Sequence, residues 1–120
     1  MLKFSQEHTW IDTDNGLVGI SDFAQKSLGD IVFIELPELR QVYSKGERFG
    51  SIESAKSVSE LFAPVSMKVV AINEIIEADP EMINSDPYGQ GWILKAEIIE
   101  KDQLDELLSE GEYLDIINKE

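Results

Sequence analysis

Cysteine is absent from this 120-residue chain, and histidine occurs once, at His8. Without cysteine there are no disulfides, thiolate metal sites or cysteine nucleophiles, and the composition suits a reducing compartment. Positive charge is also scarce. Ten Lys and Arg stand against 24 Asp and Glu, a formal net charge of −14. Nucleic acids and anionic membrane surfaces select basic patches, so neither is expected as a partner. Negative charge of this size favours encounter with partners that carry basic docking surfaces. No apolar run approaches the ~20 residues that cross a bilayer. Met1 to Glu7 lacks both the apolar core of a signal peptide and the arginines of a transit peptide, so the expected location is cytoplasmic. No glycine-rich phosphate loop is present, and the glycines and serines near Gly50 do not form a nucleophile elbow. Nothing singles out a pair among the 24 acids for glycoside chemistry. The chain reads as no catalyst by itself.

What remains is a soluble globular composition, 42% apolar and 28% charged, of a length that fits one domain. His8 to Asp12 alternates and is expected to be a first strand, with His8 packed by its aromatic neighbour. Asp14-Asn15-Gly16 is a hairpin signal returning through Leu17 to Ile20. Asp12, Asp14 and Asn15 lack the spacing of a calcium loop. Ser21 is suited to cap a short helix containing Phe23, Ala24 and Leu28, ended by Gly29. Ile31 to Leu36 is the strongest strand, apolar enough to be buried on both faces for part of its length, and Pro37 stops it. Arg40 to Tyr43 and Met67 to Asn73 are further strands. Asp79-Pro80 predicts one helical turn over Pro80 to Asn84, and Trp92 to Ile98 a closing strand. Asp102 is expected to cap a helix ending near Gly111, followed by a last helical segment toward Asn118. Many short strands with small helices predict an antiparallel β-sandwich or flattened barrel.

One stretch breaks local rules. Phe49 to Ser54 and Val58 to Phe62 are strand-like and flank a small-residue tip carrying Lys56. Pairing Ala55 with Val58 sets Glu53 opposite Glu60 and Ile52 opposite Leu61. Lys56 and Ser57 then form a two-residue turn, where positive φ usually demands Asn-Gly or Gly. Facing glutamates are also unfavourable. Such a conflict marks a functional tip. A lysine that carries a cofactor needs exposure, a rigid projection and small neighbours, and Ser54, Ala55 and Ser57 supply the last.

Glu53-Ser54-Ala55-Lys56-Ser57-Val58-Ser59-Glu60 and Leu61 to Ser66 resemble the lipoyl-lysine hairpin of the glycine cleavage system H proteins. The resemblance continues through His8-Thr9-Trp10, Val18 to Ile20, Leu28 to Pro37, Ile83 to Tyr88 and Gly91-Trp92, nearly the whole chain. Biotin carriers have methionine on both sides of the lysine, and the lipoyl domains of 2-oxoacid dehydrogenases resemble Asp-Lys-Ala. Here Ala55 and Ser57 stand instead. The resemblance implies a single carrier domain over 1–120 of the lipoyl/biotinyl type, with C-terminal helices at about 102–118. It implies lipoate amide-linked to Lys56. An unperturbed lysine is protonated at neutral pH, so the modifying enzyme must deprotonate it before acylation. That enzyme would be a lipoate-protein ligase or a lipoyl/octanoyl transferase, with Glu53, Ser54, Ala55, Ser57 and Glu60 as its recognition surface.

The implied function is to shuttle an aminomethyl group. The arm would take it from the pyridoxal-phosphate-dependent glycine decarboxylase and deliver it to the aminomethyltransferase, with dihydrolipoamide dehydrogenase reoxidising the dithiol. Four positions, in three places, depart from the family pattern. The family commonly reads Ser-His-Glu-Trp where Glu7-His8-Thr9-Trp10 stands, and an aspartate is replaced by Glu60. The candidates for holding the loaded arm are thus Glu7, Thr9 and Glu60, with Glu7 and Thr9 expected on one face of a strand. Met67 stands where glycine often provides a positive-φ turn. Such departures also fit H-like lipoate-binding proteins of sulfur oxidation or lipoyl relay. Outside the carrier class, an unmodified acidic interaction module is the alternative.

Overall fold

Short apolar alternations and closely spaced turn residues fold the chain into antiparallel strands joined by tight connections. The computed structural model describes residues 1–119. In chain order the strands are β1 (Leu2–Phe4), β2 (Thr9–Asp12), β3 (Leu17–Ile20), β4 (Ile31–Glu35), β5 (Val42–Tyr43), β6 (Arg48–Ser54), β7 (Val58–Phe62), β8 (Met67–Ile72) and β9 (Leu94–Ile98). Helices are α1 (Asp22–Leu28), α2 (Glu74–Ala78), α3 (Met82–Ser85), a 3-10 helix at Lys101–Glu106, and α4 (Glu110–Ile117). One sheet runs β1-β2-β3-β9-β8-β5 and the other β4-β6-β7, with antiparallel neighbours throughout. Inward residues of both, among them Val18, Met67 and Leu94 from the large sheet and Ile34, Ile52 and Leu61 from the small one, share a single buried cluster. This is the antiparallel β-sandwich expected from the strand spacing.

A second cluster of Phe4, Trp10 and Tyr113 ties α4 to the first hairpin. The Trp10 indole N–H lies within reach of the carbonyls of Ile20 and Pro87, at 3.0 and 3.1 Å. Gly19 faces it across the pair. A Cβ there would stand 2.8 Å from the indole ring, so the pairing of β2 with β3 requires glycine.

Several expectations change. His8 is not strand: its φ of 70° places it at the tip of the β1–β2 turn, and β2 starts at Thr9. Its ring rests on Phe23 and Tyr113 rather than on Trp10. β4 is not buried on both faces. A register shift between Ile31 and Phe33 leaves Val32 and Phe33 53% and 57% exposed. A β-bulge of this kind breaks the alternation that would have turned one of them inward.

Helix α2 follows the β8 strand directly. Asn73 caps it, accepting from the Ile75 N–H while its amide donates to the carbonyls of Gln90 and Trp92. Asp79, expected as an N-cap, ends α2 instead. Asp102 likewise lies inside the 3-10 helix, and Gly111 does not end a helix. Ser109 starts α4 through a reciprocal capping box with Glu112, whose carboxyl is held below the usual range by the Ser109 N–H.

Met67 needs no positive φ. It is fully buried in extended β8, opposite Ile98 on one side and Tyr43 on the other. Replacing Met67 by Ala is expected to cost about 2–5 kcal/mol, the range for truncating a buried methionine. Urea unfolding should show a lower midpoint with the slope unchanged. A midpoint within error of the parent would remove Met67 from the core.

Candidate functional site

The hairpin of β6 and β7 pairs Glu53 with Val58, Ile52 with Ser59 and Ser51 with Glu60. This is two residues away from the expected register, so Glu53 does not face Glu60, and the unfavourable acid pair does not exist. The joining loop has four residues, Ser54 to Ser57. Loops of this length are built around type I turns, which need no positive φ. None of these four residues has one. Lys-Ser is therefore ordinary chemistry for this tip.

Ser54 organises the loop. Its backbone N–H donates to the Ser57 carbonyl at 2.8 Å, and its hydroxyl oxygen accepts from the Ser57 and Lys56 N–H groups at 3.1 and 3.3 Å. The residue is only 5% exposed. The Ala55 N–H donates to the Asp30 carbonyl at 3.2 Å, which docks the tip against the chain leaving α1. Behind that contact, the Asn84 side chain accepts from the Ile31 N–H and donates to the Gly29 carbonyl and to Gln25. Asn84 lies in the motif Ile83 to Tyr88, yet nothing in its spacing indicates that it braces the tip from behind.

Lys56 is exposed, and among the described residues its amine makes no ion pair or hydrogen bond. Its side chain lies along the end of α1. A Cβ on Gly29, whose φ is 81°, would sit 3.5 Å from Lys56 Cε. The positive φ favours glycine there to end the helix, and the lysine stem passes at van der Waals distance from it.

Beside the tip, a cleft of about 370 Å³ opens between β7 and α1. Glu7, His8, Phe23, Leu28, Ser57 and Glu60 are among its lining. The structure thus brings Glu7 and Glu60 to one cleft but leaves Thr9 out. Thr9 is fully buried, its hydroxyl lacks a hydrogen-bond partner among the described residues, and Glu7 lies exposed in the preceding turn. They share no strand face. His8 is fixed at the rim: its Nδ1 lies 2.6 Å from the Tyr113 hydroxyl, which lies 2.7 Å from Ser21 Oγ. Ser21 caps α1 and accepts from the Ala24 N–H, so α4, α1 and the first turn meet at this rim.

An ionic cluster adjoins the cleft. Arg48 reaches Glu35 at 2.8 Å and also bonds the cleft-lining Glu60 through its Nε. The Arg48 guanidinium, by hydrogen bond and charge, holds the Glu35 carboxyl below the usual glutamate range.

The glycine cleavage H-protein family model matches residues 2–120. The chain belongs to that family. It is 53% identical over 121 residues to the glycine cleavage system H protein of Carboxydothermus hydrogenoformans, covering 99% of this chain and 93% of that relative. It is 50% identical over 119 residues to that of Listeria monocytogenes, covering 98% and 95%. Among solved structures, the glycine cleavage system H protein of Mycobacterium marinum superposes with a TM-score of 0.86 at 36% identity, covering 98% of this chain and 96% of that one. Proteins of this family are lipoate carriers.

The Arg48 clamp has a pH signature. Glu35 has a depressed carboxyl pKa in the folded chain, so its contribution is present above the ordinary glutamate range and lost as pH falls through the depressed value. Thermal melts of the parent and Arg48→Met should therefore differ most near neutral pH and converge as pH falls below the ordinary glutamate range. A gap that persists undiminished in acid would assign Arg48 a packing role instead.

Proposed function

We propose that this chain is the lipoyl carrier of a glycine cleavage system and that lipoate is amide-linked to Lys56. The observation that carries the reading is the free, exposed Lys56 amine on a four-residue tip closed by Ser54. Family membership supports it. The residues fit the group. A hairpin presents the exposed amine at its tip beside Gly29; Ala55 and Ser57 are small flanks, and a cleft of about 370 Å³ starts at Ser57 beside it. The modifying enzyme removes a proton from Nζ. The nitrogen lone pair then attacks an activated acyl carbon, an amide C–N bond forms, and the leaving group departs with its electron pair. Lys56 loses its positive charge in the process. When bound, lipoate supplies the redox-active sulfurs that accept the aminomethyl group from glycine decarboxylase, yield it to the aminomethyltransferase and are reoxidised by dihydrolipoamide dehydrogenase.

The chain's own part is presentation and shelter. Glu7 and Glu60 put negative charge in the cleft, which suits a carried ammonium. They are not equivalent. Glu60 is engaged by Arg48, whereas Glu7 makes no ion pair among the described residues. Glu7 is therefore the residue proposed to hold the cation, and Thr9, being buried, acts on it only through the fold. The proposed setting is cytoplasmic, in keeping with the cysteine-free composition; no helix of the described residues is long and apolar enough to cross a membrane.

Intact mass after incubation with a lipoate-protein ligase, lipoate and ATP tests this. The parent should gain one lipoyl group and Lys56→Arg none. With glycine decarboxylase and labelled glycine, the lipoylated parent should then take up label. Glu7→Gln should shorten the lifetime of that label by about tenfold or more, and Glu60→Gln by less, since a charged hydrogen bond contributes about 1.5–3 kcal/mol. A lipoylated parent that takes up no label would favour an H-like carrier serving another pathway.

A further inference from the structure

The apolar run Ile31 to Leu36 is only partly buried, with Ile31 and Ile34 turned into the core. Val32 and Phe33 are both more than half exposed because the register shifts between Ile31 and Phe33. The same register sets Phe33 opposite Glu53, and Glu53 opposite Val58, which is 63% exposed. Phe33, Glu53 and Val58 therefore form one row across all three strands of the small sheet, on its outer face. Neighbouring strands are about 4.8 Å apart, so the row spans roughly 10 Å. Its last member stands two residues from Lys56.

Glu53 lies between two apolar side chains and makes no ion pair among the described residues. The neighbouring row is different. There Glu35 and Glu60 share Arg48, and their charge is already answered within the chain. The outer face thus offers one uncompensated carboxylate framed by an exposed phenylalanine and valine. Isolated exposed apolar residues are ordinary, whereas exposed apolar side chains grouped together are what an interaction surface uses.

Position selects the occupant. An enzyme that works on the far end of a long arm need not touch the root of that arm. An enzyme that acylates Nζ must bring its own active site to the tip, and so must cover the surface next to it. We propose that the row Phe33–Glu53–Val58 is the docking face for the enzyme that acylates Lys56, which presents an apolar pocket for Phe33 and a basic side chain for Glu53. This rests on the Lys56 reading above and extends it to residues of β4 that lie outside the hairpin. The chain's net charge of −14 favours a partner with a basic rim.

Steady-state acylation by a lipoate-protein ligase, followed by intact mass, tests the face. Phe33→Ser and, separately, Val58→Thr should each raise KM for the carrier, Phe33→Ser by about tenfold, with kcat near that of the parent. Lys56→Arg, which offers the face without the acceptor, should inhibit acylation of the parent competitively. The double variant Phe33→Ser/Lys56→Arg should inhibit at about tenfold higher concentration or not at all. Both substituted side chains are exposed, and circular dichroism melts check that the fold is kept. Unchanged KM in both single variants, or equal inhibition by the two arginine variants, would overturn the proposal. So would a defect confined to aminomethyl loading of an already lipoylated Phe33→Ser protein, which would assign the face to glycine decarboxylase. A self-associated parent dispersed by Phe33→Ser would assign it to a second copy. If Lys56→Arg were itself acylated, the attachment reading would fail, whatever the face does.

Discussion

The hydroxyl of Ser54 is the contact on which the site depends. It replaces what a glycine-bearing turn does elsewhere, accepting two backbone N–H groups at the closed end of the hairpin and sparing the loop any left-handed residue. With those donors satisfied inside the chain, the tip can be buried at Ser54 and still leave Lys56 in solvent. Ala55 anchors the tip to Asp30, and Asn84 fastens the chain around Asp30 to α1 and β4. A lysine stem of four flexible carbons is thereby carried on a rigid base, which limits the entropy lost when an enzyme captures its amine.

The two sides of the hairpin do different work because their charges are handled differently. On the outer face, Arg48 ties Glu35 to Glu60, so the charge that Glu60 brings to the cleft is already shared with a guanidinium. At the cleft, Glu7 makes no ion pair among the described residues and stands next to His8, which is fixed by Tyr113 and Ser21. Substitutions at family positions thus do not act alone. The glutamate at position 60 takes its meaning from Arg48, and Thr9 its burial from the strand that Glu7 precedes.

Much of this was legible in the chain. Periodicity and turn residues placed most strands and α1, and the lysine motif marked the tip. The hairpin register was not legible, because spacing alone cannot separate a two-residue loop from a four-residue loop whose donors are taken by a serine side chain. β4 misled for a related reason: apolar composition indicates burial, but a bulge decides which face each residue takes. Asn73 ends a β-branched run and caps α2 at once, so strand and helix signals overlap there. Ser109 with Glu112 was a readable capping box, overshadowed by Asp102 and Gly111. The link from His8 to Tyr113 spans 105 positions in sequence and belongs to the tertiary fold alone.

The measurement that tests the central claim most directly is the acylation rate of Lys56 in Ser54→Ala, taken under the same ligase, lipoate and ATP as the parent. Loss of two hydrogen bonds at the tip, each contributing about 1 kcal/mol, predicts kcat/KM lower by about tenfold or more, with a melting temperature lowered by several degrees in a protein that still folds. Acylation at the parental rate in a folded Ser54→Ala protein would contradict the claim that this serine holds Lys56 in its acceptor position.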